Sequence, residues 1–230
     1  MSALIFLFFS MLEWIALILL TFSIYRFPMR DYAAQVGITA LLLSIISLVL
    51  FEYLDIDILA TLIQPLFVFL FFWLFFKVPV YYAGLCVVNG YLGYAAIQSI
   101  VFYVYELLGI MINPGTALAY LAQAVTAAVA FIVIGFALKY RLGFSFVTPN
   151  EITRVRLRGT NLKLLLLTFA GYGALSSFNF LYYLSDYTII IVLLMFSAFA
   201  IIQYWTFQKE YESSHWHRTR AEMTKTPDLP

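Results

Sequence analysis

The sequence predicts an all-α, polytopic transmembrane bundle of seven spans, N-terminus outside and C-terminus in the cytoplasm. Three observations predict it. Hydrophobic residues make up 64% of the 230 and charged residues 11%, a composition outside the range of soluble domains. The apolar runs come close to the roughly 20 residues that a helix needs to cross a hydrocarbon core of about 30 Å. All thirteen Lys and Arg fall in alternate gaps between those runs or in the C-terminal tail, whereas the remaining gaps carry Glu52, Asp55, Asp57, Glu106 and Asp186. The positive-inside rule then puts the basic gaps in the cytoplasm. Shifting any one helix strands basic residues outside, so an even number of spans is disfavoured.

The first span, 3–25, ends at the basic loop Arg26-Phe27-Pro28-Met29-Arg30. It begins Met1-Ser2-Ala3-Leu4 with no positive charge before Arg26, so no cleavable signal is expected and the helix should remain. The second span, 32–51, emerges at the acidic turn that starts with Glu52. The third, 58–76, carries Pro65 in its middle and ends at Lys77 and Pro79. That proline removes one backbone hydrogen bond and frees a carbonyl that a neighbour or water must satisfy. The fourth span, 80–107, is long enough to tilt or to extend past the headgroups. Asn113-Pro114-Gly115-Thr116 then makes a turn, with Pro presetting φ and Gly supplying positive φ. The fifth span, 117–138, meets Lys139 and Arg141.

The longest polar interval, 141–163, is expected to be an interfacial basic loop. Thr148-Pro149-Asn150-Glu151 has the form of a capping box with Pro at the first helical position. Thr153-Arg154-Val155-Arg156-Leu157-Arg158 alternates with period two, which suits a strand or an interfacial ribbon equally well. Arg154, Arg156 and Arg158 are expected to meet anionic lipid, each contributing on the order of 1 kcal/mol near the surface. The sixth span, 164–184, the tight loop Ser185-Asp186-Tyr187 and the seventh span, 188–205, complete a transmembrane domain of residues 1–206. A polar cytoplasmic tail, 207–230, continues as a helix before Pro227 ends it.

Glu13 lies near the centre of the first span. An ionised carboxylate there costs several kcal/mol unless it faces the bundle, is protonated or meets a donor. It is therefore either a ligand or proton contact, or a neutral acid that holds packing. Gln64 in the third span, Asn89 and Gln98 in the fourth, Gln123 in the fifth and Asn179 in the sixth add polar groups at depth. Thr126 and Gln203 accompany them, and Asn89 shares a helix face with Gly93. Glu13, Gln64, Asn89, Gln98, Gln123 and Asn179 form the candidate ligand-binding set. The duller reading is interhelical hydrogen bonding, on average about 0.6 kcal/mol per contact. Small residues four apart, such as Ala124 and Ala128, Ala170 and Ala174, and Gly173 and Ser177, permit close helix approach.

Other chemistry finds little support. Cys86 is the only cysteine, which excludes an intramolecular disulfide and a thiolate cluster. His215 and His217 stand in the tail near Glu212 and Trp216, and two rings at that spacing splay apart on a helix. No histidine and no Asp lies within a span, so a nucleophile–base pair and an aspartyl dyad are both missing. Hence no enzyme, metal or cofactor is expected. Dispersed basic residues and a net charge of +1 argue against nucleic acid as a partner.

The phrase Arg141-Leu142-Gly143-Phe144-Ser145-Phe146-Val147-Thr148-Pro149, followed by the Arg-rich stretch and Asn161-Leu162, resembles the loop before the last two helices of one sensor family. So does Gly90-Tyr91-Leu92-Gly93-Tyr94 in the fourth span. The family is the membrane sensor region of Agr-type (GHKL-class) bacterial histidine kinases, and the resemblance covers residues 1–210. It implies a bundle that detects secreted signals and relays them through a juxtamembrane helix. It carries over no catalytic residue. Those kinases continue into phosphoacceptor and ATP-binding segments that do not follow here, so a sensor module without its own output domain is expected.

Taken together, the expectation is a receptor-like sensor of the bacterial cytoplasmic membrane. It would bind a small or peptide ligand from outside and act on a cytoplasmic kinase or regulator, as monomer or homodimer. A transporter membrane subunit that uses a separate ATPase, and a structural or immunity-type membrane protein, are the alternatives. The absence of obvious inverted repeats weighs against transport.

Overall fold

The structure is a computed structural model and describes residues 3–54, 56–110, 112, 116–149, 155, 158–184 and 188–223. These form seven α-helices with no strand among them: α1 (Ala3–Ile24), α2 (Ala33–Leu48), α3 (Asp57–Leu74), α4 (Val80–Leu107), α5 (Ala117–Lys139), α6 (Thr160–Leu184) and α7 (Thr188–Met223). A π-helical turn, Val49–Tyr53, prolongs α2. Four segments are long and apolar enough to cross a membrane: Ala3–Ile24, Ala33–Tyr53, Val80–Leu107 and Ala117–Lys139. The Thr153–Arg158 alternation lies largely outside the described residues, as do Asn113 to Gly115 and the Ser185–Tyr187 loop.

Composition explains where the helices stop. Thr116 caps α5, its side chain accepting from the Ala119 N–H at 3.3 Å, one of the donors that a helix start leaves unpaired. Pro79 precedes α4 with an extended backbone, so it sets the corner without costing a helical hydrogen bond. Past the ends of α1, α3 and α5 stand Arg26, Lys77 and Arg141, each left-handed with φ near 50°. Behind them the chain folds back: Phe27 N–H reaches Phe22 O at 2.9 Å, and Leu142 N–H reaches Ala137 O at 2.8 Å. A left-handed non-glycine residue costs about 1–2 kcal/mol. A cation near the carbonyl end of a helix returns roughly 0.3–1 kcal/mol of that. These three residues mark one end of the bundle, called here the basic end; Glu52 and Glu106 mark the other.

The core forms between α1 and α4. Helix α4 contacts α1, α3, α5, α6 and α7, and α1 also contacts α2 and α5. Close approach occurs at Gly90, where an added Cβ would come within 1.9 Å of Thr21 Oγ1, and at Gly171, where it would meet Val88 at 2.5 Å. The small-residue pairs singled out in the sequence are placed differently, since Ala128, Ala170 and Gly173 lie exposed on their helices. Packing is uneven along the bundle. From Tyr82 to Ala96 nearly every α4 residue is buried, whereas Ile100, Val104 and Leu107 are exposed. On α1, Trp14 to Phe22 are mostly buried, but Leu4, Ile5 and Phe8 are exposed. Among the described residues of α1 and α4, packing is tight at the basic end and opens toward the acidic one.

Helix α6 starts at Thr160, four residues before the apolar run. Its first turn is polar, and Lys163 lays its ammonium 4.2 Å from the Trp205 ring centre on α7, so charge and helix coexist there. Helix α7 continues without a break through Met223, which carries the helical continuation of the tail beyond residue 206.

Candidate functional site

The tilt of α1 decides which way Glu13 points. Residues i, i+4 and i+7 share a helix face, and Leu17 and Leu20, which share that face with Glu13, are 3% and 4% exposed. Glu13 therefore faces the bundle and is half-buried. Tyr94 of α4, 4% exposed, brings its hydroxyl beside the carboxyl, and Tyr91 lies within electrostatic reach of it. Both hydroxyls are buried without a hydrogen bond of normal geometry. The Trp14 and Tyr91 rings meet edge-on, 6.1 Å between centres.

Gln123 arrives at the same depth from α5. The Phe9 and Tyr120 rings are 5.3 Å apart, and at the basic end an Arg26 guanidinium N–H donates to Arg141 O at 2.5 Å. Two contacts in the same order along both chains make α1 and α5 parallel. One turn beyond Phe9 is Glu13, and one turn beyond Tyr120 is Gln123. The Gln123 Oε1 is buried with no donor. Gln64 joins from α3, where its side-chain N–H donates to Ser47 Oγ at 3.0 Å, and Trp14 Nε1–H donates to the same oxygen at 3.2 Å. Near Pro65, the carbonyl of Leu62 accepts from the Tyr172 hydroxyl.

Asn89 belongs to a separate cluster nearer the basic end. It is fully buried. Its Nδ2 donates to the Tyr25 oxygen at 2.5 Å and toward Thr206 Oγ1 at 3.4 Å. Its Oδ1 accepts from Gln203 Nε2 at 3.4 Å. The structure thus brings Glu13 and Gln123 to one depth, joins Gln64 to them through Ser47 and Trp14, and sets Asn89 apart. Gln98 is half-buried further toward the open end of α4. The side chain of Asn179 lies outside the described residues, as do those of His215 and His217.

Below the Asn89 cluster, the loop after α5 folds into the bundle. Phe144 N–H donates to Ile24 O at 2.7 Å, and the Phe144 and Phe146 rings approach Tyr25 at 6.1 and 6.2 Å. At Gly143, φ is +125° and an added Cβ would lie 2.6 Å from Ser23 O, so only glycine fits this approach without strain. Glu210 on α7 then accepts three bonds from the loop: Ser145 N–H at 2.9 Å, Phe146 N–H at 3.1 Å and the Ser145 hydroxyl at 2.6 Å. A second tether is the Thr160 hydroxyl, which donates to Glu212 at 2.5 Å. Loop and helix are latched together by charge-assisted hydrogen bonds.

Sequence reasoning singled out Glu13, Gln64, Asn89 and Gln123 by their polarity inside apolar helices. It passed over Tyr91, Tyr94, Tyr25 and Glu210. Seventeen tyrosines make any one of them inconspicuous, although Tyr91 and Tyr94 at i and i+3 share a face of α4. Among the described residues no group of three or more His, Cys, Asp or Glu is placed to hold a metal ion. No family model, curated protein or solved structure matches this chain.

Proposed function

We propose that the chain spans a bacterial cytoplasmic membrane seven times, with the acidic end and N-terminus outside. In this reading it is a receptor-like sensor. It takes a small or peptide ligand at the open end, beside Glu13, and relays occupancy through α7 to a cytoplasmic kinase or regulator. The observation that carries it is Glu13, a carboxylate that faces the interior between two buried tyrosine hydroxyls, at the foot of the loosely packed half. Intramembrane ionisable residues in such positions mark function more often than packing. The Asn89 cluster supports a relay, since it ties the same α4 to Thr206 and Gln203 of α7. The resemblance to Agr-type sensor regions motivates the choice of partner. Arg154, Arg156 and Arg158 would hold the interfacial loop to anionic lipid, and a homodimer is compatible with this reading.

Tyr211 is 56% exposed on the α7 extension, which makes it the position for a photoreactive side chain in native membranes. The expected capture is a kinase-like or regulator protein, with a response altered by Glu13→Gln and Asn89→Ala. Capture of an ATPase subunit would transfer the assignment to transport. Reproducible capture of nothing would overturn both relay readings and leave a self-contained structural bundle.

A further inference from the structure

Resting on the reading of Glu13 as a ligand contact, the geometry points to the class of ligand: we infer that the site binds a protonated amine with an apolar remainder. The described Lys and Arg all lie in loops, at helix ends or on the α7 extension, so none of the described residues supplies Glu13 with a cation at its own depth. Two acceptors lie at this depth on the adjoining helices α1 and α5, the Glu13 carboxyl and the buried, donorless Oε1 of Gln123. Tyr94 lies beside the Glu13 carboxyl with Tyr91 within electrostatic reach, and the Trp14 ring meets that of Tyr91; the faces of such rings attract cations.

The alternatives fit this set less well. An anion is repelled by the carboxylate. A neutral acceptor would compete with the Glu13 carboxyl for the Tyr94 hydroxyl and leave Gln123 Oε1 without a donor, and an unpaired buried acceptor is costly. A divalent cation needs about six oxygen ligands, more than one carboxylate and one amide oxygen provide. An ammonium brings donors for both acceptors and charge for the carboxylate. The Phe9 and Tyr120 rings, one turn toward the open end, give its apolar part a surface. The same ammonium chemistry is offered by a free amine and by the N-terminus of a peptide.

Radiolabelled phenethylamine, titrated onto the full chain in lipid nanodiscs with empty discs as blank, tests this. Saturable binding is expected, with competition by unlabelled phenethylamine and none by its neutral isosteres, phenethyl alcohol and N-acetylphenethylamine. Glu13→Gln should weaken binding about tenfold or more, as expected for loss of a charge-assisted contact, and Gln123→Leu several-fold. Competition by phenylalanyl-leucinamide but not by its N-acetylated form would assign the ammonium to a peptide; competition by free amines alone would assign it to a small molecule. Equal competition by the neutral isosteres on the unmodified chain, or no saturable binding at all, overturns the proposal and needs no variant to fold. Partner capture at position 211 is read independently. If it persists while amine binding fails, the sensor reading stands and the ligand class falls; the reverse pattern removes the sensor reading alone.

Discussion

At Gly90 the side chain that is missing matters as much as any that is present. Thr21 is fully buried, its hydroxyl donates back to Leu17 O at 2.9 Å, and it fills the space a β-carbon at Gly90 would take. Overpacking of this kind costs typically 1–3 kcal/mol. Gly90→Ala is therefore expected to destabilise the bundle by about 2 kcal/mol, measured by thermal unfolding in micelles. Thr21→Ala should recover part of that loss in the double variant, because it removes the atoms nearest the new Cβ. Equal losses in the single and double variants would mean the two helices do not meet there. Asn89→Ala should cost on the order of 1–2 kcal/mol in the same assay, near the upper end of measured interhelical bonds, because Tyr25, Thr206 and Gln203 share that one amide. What the sequence disclosed at this scale was polarity out of place: Glu13 and Asn89 stand out in apolar helices. Their partners did not, because Tyr25 is 64 residues from Asn89 and Thr206 is 117 away, and such separations leave no local pattern.

Helices and loops were more readable than contacts. The bounds of α4 follow from Pro79 and from the apolar run behind it, and Thr116 announces the start of α5. The start of α6 was read four residues late because hydropathy registers the apolar run and not the helix, and the polar first turn around Lys163 precedes that run. The π-helical end of α2 has no signature in residue type. The segment from Gly143 to Val147 offered no helical period, and its structure is held from outside: the N–H groups of Phe144, Ser145 and Phe146 bond to Ile24 and Glu210 and not to a helix of their own. The latch has a direct test in amide exchange at Ser145 and Phe146. Both amides should be protected in the unmodified chain, and Glu210→Ala should raise their exchange by about tenfold or more if each bond contributes near 1.5 kcal/mol. Unchanged protection would show that the ring packing of Phe144 and Phe146, without Glu210, holds the loop.

Taken as a whole, the molecule has two unlike ends, and the topology proposed for it is open to a labelling experiment. Cys86 is the sole cysteine and fully buried, so Cys86→Ala gives a background of small structural cost. A cysteine at Tyr53, which is 74% exposed beside Glu52, should react with an impermeant maleimide added to intact cells. One at Tyr140, at the basic end, should react only after permeabilisation. The opposite pattern would invert the topology that charge distribution predicts. Under the proposed function, uneven packing gives the two ends different roles. The open half admits a ligand as far as Glu13, and the tight half transmits through α4 and the latched α7. For the ends to communicate, both must bias one two-state element. Glu13 lies about 16 Å along α1 from Ile24, the residue whose carbonyl accepts from Phe144 N–H, at 1.5 Å per residue.

The measurement that reaches this claim most directly is amide exchange at Ser145 and Phe146 in membranes, compared between the unmodified chain and Glu13→Gln. Coupling between the ends predicts that the distant substitution shifts exchange at both latch amides together, while amides in the middle of α5 exchange as before. Identical latch exchange in the two chains, with both folded, would contradict it and separate the carboxylate site from α7.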